Sequence, residues 1–132
     1  DAPCSGTGTM RRHPEIPWRL TEKDVTVELP KLQLTILKEA AVRVAADGEL
    51  IYATCSVFDE ENMQVVEAFL SSPEGAGFSV APLSEAQILQ LPEFAQAKKL
   101  VSVRQNDRGL FQSVPVNADS YDGHFCARLI HN

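Results

Sequence analysis

A short apolar segment between two helical patterns does most to limit the fold of this chain. Leu50–Ala53 is apolar, and Gly48 and Cys55 bound it. The residues on either side repeat apolar positions at helical spacing, over 21–45 and over about 59–71. A bounded apolar run of this kind is typical of a strand buried on both faces, as the strands of parallel sheets are. We therefore predict a strand over Glu49–Thr54 in an α/β protein.

The two helical patterns contain signals for where each helix begins and ends. Thr21 and Asp24 have the spacing of a cap on a first turn, and Pro30 fits best in the first turn of the long helix. The pair Asp47-Gly48 predicts its end. In the second helix, Glu60 and Glu61 are expected in the first turn, where the helix dipole favours negative charge.

The rest of the chain predicts further strands over 78–81, 110–114 and 124–130. Residues 84–108 have the weakest pattern, which indicates a short helix over 84–89 and an irregular insertion. Helix–strand alternation followed by successive strands predicts the second half of an open α/β sheet that ends in an antiparallel hairpin. We expect residues 1–132 to form a single partial domain.

Composition excludes several classes of protein. The chain has 132 residues and a net charge of −6, which argues against broad, non-specific binding of nucleic acid. No apolar run approaches the ~20 residues of a membrane span, and no signal peptide pattern is visible, so we expect a cytoplasmic location. Three cysteines are an odd count for a disulfide framework, and the histidines and cysteines lack the spacing of metal ligands.

Two of the cysteines occupy positions that a substrate can reach. Cys4 opens a Gly-containing loop, and Cys55 ends the apolar run. In open α/β sheets, ligands bind at the carboxyl ends of the strands, so we expect both thiols at that edge. Spacing alone leaves open that Cys55 is a buried thiol at a strand end. Cys126 lies in an apolar alternation and is expected in the core.

The residues around Cys4 suggest both basic character and an incomplete domain. Arg11, Arg12, His13 and Arg19 form the densest basic stretch of the chain, which is also compatible with a solvated loop. Trp18 is expected to pack this loop down. No strand or helix precedes the Cys4 loop, so we interpret the chain as a fragment whose upstream part is missing.

Three sequence blocks resemble the Sun/Nop-type RNA cytosine carbon-5 methyltransferases, in their bacterial small-subunit ribosomal RNA branch. The blocks are Asp1-Ala2-Pro3-Cys4-Ser5-Gly6-Thr7-Gly8 with Arg11-Arg12-His13-Pro14 and Trp18; Tyr52-Ala53-Thr54-Cys55-Ser56 with Glu60-Glu61-Asn62; and Asp122-Gly123-His124-Phe125-Cys126-Ala127-Arg128-Leu129. They extend across the whole chain. His124 stands where an aromatic residue is common in the family. The resemblance implies a Rossmann-like methyltransferase fold, of which only the C-terminal half of the catalytic domain is present.

The resemblance also implies roles for individual residues. Cys55 would be the nucleophile that attacks carbon 6 of cytosine, and Cys4 would assist release of the methylated base. Asp1 would lie beside the S-adenosyl-L-methionine cofactor. The substrate-binding candidates are Pro3, Arg11 and Arg12, with ribosomal RNA as the partner. Gly6 and Gly8 would let the backbone approach the substrate. The family's Gly-rich cofactor loop and its acidic partner are not in the sequence, so cofactor binding by this chain alone is not expected.

Other functions remain open at this stage. The chain could dock RNA without turnover, or it could be a thiol redox protein that uses Cys4 and Cys55, although no Cys-x-x-Cys motif is present. If the strand that ends at Cys55 lacks its neighbour, an unpaired apolar edge should make the fragment self-associate.

Overall fold

The computed structural model describes residues 1–84, 103–118 and 120–132. The helices are α1 (Ile16–Arg19), α2 (Leu29–Ala41) and α3 (Met63–Leu70). The strands are β1 (Glu49–Thr54), β2 (Phe78–Val80), β3 (Val103–Gln105), β4 (Phe111–Ser113) and β5 (His124–His131). Two 3₁₀ turns lie at Thr7–Thr9 and Pro73–Gly75, and a π-helical turn at Asp24–Glu28 precedes α2.

The sheet is built around β5, the longest strand. β1 pairs along one side of β5, with Tyr52 opposite Ala127. The other side is shared by β2, where Val80 lies opposite Leu129, and β4. β3 pairs with the outer side of β4. The strand order is therefore β1, β5, β4, β3, with β2 beside the end of β5.

The α/β fold class is confirmed, whereas the mostly parallel pairing is not found among the described strands. All four described pairings are antiparallel. The reason is that β5 lies between β1 and β2, which run in the same direction and are connected through α3. The expected antiparallel ending is present, because β3, β4 and β5 follow one another along the chain and pair in that order.

α2 and α3 pack on one face of the sheet, and the core lies between the sheet and these helices. Phe69 of α3 is completely buried and contacts Phe78 of β2, with ring centroids 5.4 Å apart. Ala127 and Leu129 of β5 are also fully buried.

β1 has the predicted bounds, but it is not buried on both faces. Tyr52 and Thr54 point into the core, while Ile51 on the other face is 50% exposed. Side chains alternate between the two faces of a strand, and the described helices cover only one of them. The prediction of a doubly buried strand is therefore wrong for the residues described.

The long helix begins as predicted and ends earlier. The Thr21 amide and hydroxyl donate to the Asp24 carboxylate at 2.8 and 2.7 Å, and the Asp24 amide donates to the Thr21 hydroxyl at 3.2 Å. Pro30 lies in the first turn of α2, directly after the π-helical turn. Such a widened turn accommodates a residue that lacks an N–H group. α2 ends at Ala41, six residues before Asp47, whose φ of 60° marks the turn into β1.

The remaining predictions are confirmed in part. The strands over 78–81, 110–114 and 124–130 are present with small changes in their bounds. α3 begins only at Met63, so the acidic residues 59–61 form a turn before it. The helix predicted over 84–89 lies, beyond Ser84, outside the described residues. Among the helices that the structure describes, none has the length and apolar character needed to cross a bilayer.

Candidate active site

The Cys4 loop lies against the carboxyl end of β1. The Ala2 amide donates to the Ala53 carbonyl at 2.9 Å, and the Gly8 amide donates to the Cys55 carbonyl at 2.8 Å. These two backbone bonds bring the thiols together, with their Sγ atoms 3.1 Å apart. Both cysteines are free thiols. The prediction that they meet at one edge of the sheet is confirmed.

The environment of Cys4 keeps its proton in place. The pKa of Cys4 is raised to about 11, chiefly by burial and also by the hydrogen bond between the two thiols. The Cys55 amide, which donates to the Cys4 sulfur at 3.3 Å, acts in the opposite direction. Cys4 is therefore a neutral thiol at physiological pH, and its S–H group can donate to the sulfur of Cys55.

A fully buried glutamate joins the two cysteine loops. Glu61 accepts from the amide and hydroxyl of Ser5, which follows Cys4, at 2.8 and 2.6 Å. It also accepts from the hydroxyl of Ser56, which follows Cys55, at 2.5 Å. Glu61 was predicted in the first turn of the second helix, but it lies before that helix, which begins at Met63, and it is fully buried. The sequence does contain one signal, because hydroxyl residues stand next to both cysteines and need polar partners when buried.

Asn62 and Tyr52 fix the turn that presents Cys55. The Asn62 side chain accepts from the Thr54 hydroxyl at 2.5 Å and donates to the Ser56 carbonyl at 2.9 Å. The Tyr52 hydroxyl donates to the Glu61 carbonyl at 2.6 Å. The pKa of Tyr52 is raised, first by burial and then by the charge of Glu61. Tyr52 is a packing residue, since its side chain is buried.

Glycine is required at two positions of the first loop. Gly6 has a φ of 72°, which L side chains rarely adopt. A Cβ atom on Gly8 would lie 2.0 Å from the carbonyl oxygen of Gly123, whose amide donates to the Gly8 carbonyl at 2.8 Å. The close neighbour of Gly8 in the structure is therefore Gly123, the residue before β5, and the approach of Gly8 to substrate stays a prediction.

Arg11 and Arg12 both bind Asp122. An Arg11 nitrogen lies 3.0 Å from one carboxylate oxygen of Asp122, and an Arg12 nitrogen lies 2.7 Å from the other. Together the two guanidinium groups lower the pKa of Asp122, with the hydrogen bond from Arg11 as the largest cause. Arg11 also donates to the carbonyl groups of Asn117, Ala118 and Ser120, so it holds this loop. Arg12 is the more exposed of the two.

Two cavities open beside the cysteine loops, and Thr7 lines both of them. One has a volume of about 330 Å³ and includes Arg11 and Pro115 in its wall. The other, of about 300 Å³, is lined in part by Pro17 and Phe58. The Thr7 hydroxyl accepts from the Val57 amide at 3.2 Å. Thr7 therefore connects the walls of both cavities to the loop that follows Cys55.

Asp1 and Pro3 lie at the entrance to the site. The Pro3 carbonyl accepts from the Gln33 side chain at 3.0 Å, and Asp1 is exposed beside the end of β1. Asp1 is the one expected cofactor contact among the described residues. Asp1 and Pro3 are both exposed, so these two residues alone do not enclose a site for S-adenosyl-L-methionine.

The remaining candidates have simpler surroundings. Cys126 is half-buried in β5, and burial raises its pKa. Trp18 is 89% exposed, so the prediction that it packs the loop down is wrong. Among the described residues, no three His, Cys, Asp or Glu side chains form a group that could hold a metal ion.

The fold and the site together define an α/β protein that presents two adjacent thiols at the carboxyl end of a strand. Comparison with known proteins shows the family to which it belongs. The family model described as 16S rRNA methyltransferase RsmB/F matches residues 1–130. The chain therefore belongs to the RsmB/F family of 16S rRNA methyltransferases.

Individual relatives agree with this assignment. Ribosomal RNA small subunit methyltransferase B of Salmonella arizonae is 48% identical over 79 residues, which are 60% of this chain and 18% of the relative. The same protein of Citrobacter koseri is 51% identical over 70 residues, which are 53% and 16% of the two chains. The aligned regions thus span less than a fifth of the length of these curated relatives.

Solved structures show the same fold. The crystal structure of PH0851 matches with a TM-score of 0.74 and 33% identity, over 98% of this chain and 25% of that one. NSun6 from Pyrococcus horikoshii, solved with SFG, matches with a TM-score of 0.69 and 21% identity. That match covers 99% of this chain and 28% of NSun6. The methyltransferase fold is therefore shown for the described residues.

Proposed function

We propose that the intact protein transfers a methyl group from S-adenosyl-L-methionine to carbon 5 of a cytosine in small-subunit ribosomal RNA. Cys55 is the nucleophile and Cys4 assists product release. The observation that carries this proposal is the 3.1 Å approach of the two Sγ atoms at the end of β1. Membership of the RsmB/F family supports the substrate class and the cofactor.

Cys55 activates the base by adding to it. Attack of its thiolate on carbon 6 breaks the aromatic ring and makes carbon 5 nucleophilic. The bound cofactor supplies the methyl group that carbon 5 takes up. Loss of the carbon-5 proton to a base then restores the ring double bond and expels the Cys55 thiolate. The target base has to leave its stack to reach the sulfur.

Cys4 acts on the departing sulfur. Because the pKa of Cys4 is raised to about 11, this thiol retains its proton at neutral pH. Its S–H group donates a hydrogen bond to the Cys55 sulfur and stabilises the negative charge that develops as the carbon–sulfur bond breaks. This role needs proximity, which the 3.1 Å separation supports, and a proton, which the raised pKa of Cys4 supports.

The remaining assignments complete the proposed site. Arg12 contacts RNA phosphate, since it keeps exposed donor groups while bound to Asp122. Arg11 holds Asn117, Ala118 and Ser120 through their carbonyl groups and lines the cavity that RNA enters. Pro3 stiffens the Cys4 loop, and Asp1 contacts the cofactor, whose other contacts come from the upstream half of the catalytic domain. A cytoplasmic location follows from the ribosomal substrate.

Adduct formation and methyl transfer by cysteine variants test the separate roles proposed for Cys4 and Cys55. The chain is combined with its upstream half, cofactor and ribosomal RNA, and protein–RNA adducts are separated on denaturing gels. Cys4→Ala should accumulate a covalent adduct that the unaltered protein releases, and Cys4→Ala with Cys55→Ala should form none. Cys126→Ala serves as the matched control and should behave like the unaltered protein. RNA binding without methyl transfer or adduct would instead support a docking module without turnover.

A further inference from the structure

We propose that Glu61 is a positioning residue that sets the separation of the two active-site thiols. It touches neither cysteine. It acts through Ser5 and Ser56, the residues that follow Cys4 and Cys55. The effect on catalysis rests on the proposed function, whereas the effect on the thiols does not.

The carboxylate of Glu61 bonds to both loops at once. One oxygen, Oε1, accepts from the Ser5 amide at 2.8 Å. The other, Oε2, accepts from the hydroxyls of Ser5 at 2.6 Å and Ser56 at 2.5 Å. The loops are 51 residues apart in the chain, and the two hydroxyls that share this carboxylate also lie within 3.3 Å of each other. Movement of either cysteine loop would break at least one of these bonds.

Gln33 anchors the same carboxylate to α2. Its Nε2 atom donates both to Oε1 of Glu61 and to the carbonyl of Pro3, each at 3.0 Å. The Oε1 atom of Gln33 is buried without a hydrogen-bond partner among the described residues. Reversing the amide would place that oxygen against two acceptors, which costs more than one unpaired acceptor. The orientation of Gln33 therefore follows from its contacts with Glu61 and Pro3.

Glu61 is held by hydrogen-bond donors and not by a counter-ion. Its side chain is completely buried, and the ion pairs of the described residues do not include it. A buried carboxylate is costly unless its lone pairs are filled, and four donors fill them here. An apolar side chain of similar volume would stabilise the fold at least as well as this buried carboxylate does. The four donors around Glu61 therefore indicate that it orients the cysteine loops.

The effective concentration of the two thiols measures their separation directly. In a Cys126→Ala background, the chain is equilibrated with oxidised and reduced glutathione. Formation of the Cys4–Cys55 disulfide reduces one oxidised glutathione to two reduced molecules. The ratio of disulfide to dithiol, measured by mass after acid quenching and alkylation, gives the effective concentration.

Glu61→Gln should lower the effective concentration at least about tenfold, because a loop shift of about 1 Å is enough to separate reacting groups. Ser56→Ala, which removes a single bond, should lower it less. The matched control is Glu60→Gln, which changes the neighbouring acid and should leave the value unchanged. Urea unfolding of each variant reports stability separately.

An unchanged effective concentration in folded Glu61→Gln would overturn the proposal, even if the free energy of unfolding falls. If Glu61→Gln does not fold, Ser5→Ala and Ser56→Ala decide the question, and unchanged values in both would also overturn it. In the reconstituted enzyme, Glu61→Gln should lower kcat with little change in KM for RNA. A lowered effective concentration without any methyl transfer in the parent protein would contradict the proposed function and leave the positioning role standing.

Discussion

The proton on Cys4 is the feature of a single residue that most affects the chemistry. Folding raises the pKa of this thiol from an ordinary value of 9.0 to about 11, chiefly by burial. The neutral thiol is therefore the form that the fold stabilises. Its contribution to stability is fully present below pH 9 and is lost as the pH rises through 11.

Alkylation should reveal this shift. At pH 8 to 9, iodoacetamide should react with Cys4 more slowly than with a cysteine in the urea-unfolded chain, and the rate should rise steeply towards pH 11. Mass spectrometry of the peptide that contains Cys4 gives the rate for this residue alone. A titration of Cys4 centred below pH 9 would contradict the account.

Single residues also show which features of the site can be predicted from the sequence. The positions of Cys4 and Cys55 at a loop and a strand end were enough to predict that they meet. The burial of Glu61 was not predictable, because an acid before a helix looks the same in sequence whether its partners are water or the hydroxyls of Ser5 and Ser56. Those partners lie 56 and 5 residues away in the chain, and only the tertiary fold brings both to it.

At the scale of secondary structure, local patterns predict where a strand or helix lies better than they predict which strands pair. The bounds of β1 and the cap formed by Thr21 and Asp24 follow from adjacent residues, and both are confirmed. The insertion of β5 between β1 and β2 does not follow from any local pattern. Which strand pairs with β1 depends on the tertiary fold. Here that strand is β5, which lies at the far end of the chain.

The short helix α1 contributes little to stability through its aromatic residue. Trp18→Ala should change the free energy of unfolding by no more than about 0.5 kcal/mol, because the side chain is 89% exposed. By comparison, Phe69→Ala should cost about 3–5 kcal/mol, since Phe69 is fully buried in the core. Urea unfolding measures both. Efficient iodide quenching of Trp18, the single tryptophan, provides an independent check, and a large loss of stability in Trp18→Ala would contradict the described exposure.

For the molecule as a whole, the outer side of β1 is the surface open to association, up to Ala53, where the edge bonds to Ala2 of the Cys4 loop. Among the described strands, β1 pairs only with β5, and Ile51 on its uncovered face is 50% exposed. Strands with a free edge recruit other chains. We propose that this chain self-associates through the β1 edge when its upstream half is absent.

Light scattering on the isolated chain tests this proposal. The molar mass should rise with concentration above that of the 14.5 kDa monomer, and Ile51→Lys should reduce the rise, because a charge beside an edge opposes strand pairing. Val116→Lys, at another exposed apolar position, is the matched control and should not reduce it. A monomer at every concentration would rule out association through this edge.

The central claim, that Cys55 attacks the base, is tested most directly by trapping the covalent intermediate. The chain is reconstituted with its upstream half and incubated with cofactor and ribosomal RNA that contains 5-fluorocytosine. Fluorine at carbon 5 replaces the proton whose loss would release the enzyme, so the adduct persists. Peptide mass spectrometry should then locate the nucleotide on Cys55, in the unaltered protein and in Cys4→Ala, and not in Cys55→Ala. An adduct on Cys4, or none in a folded reconstitution that binds the cofactor, would contradict the account.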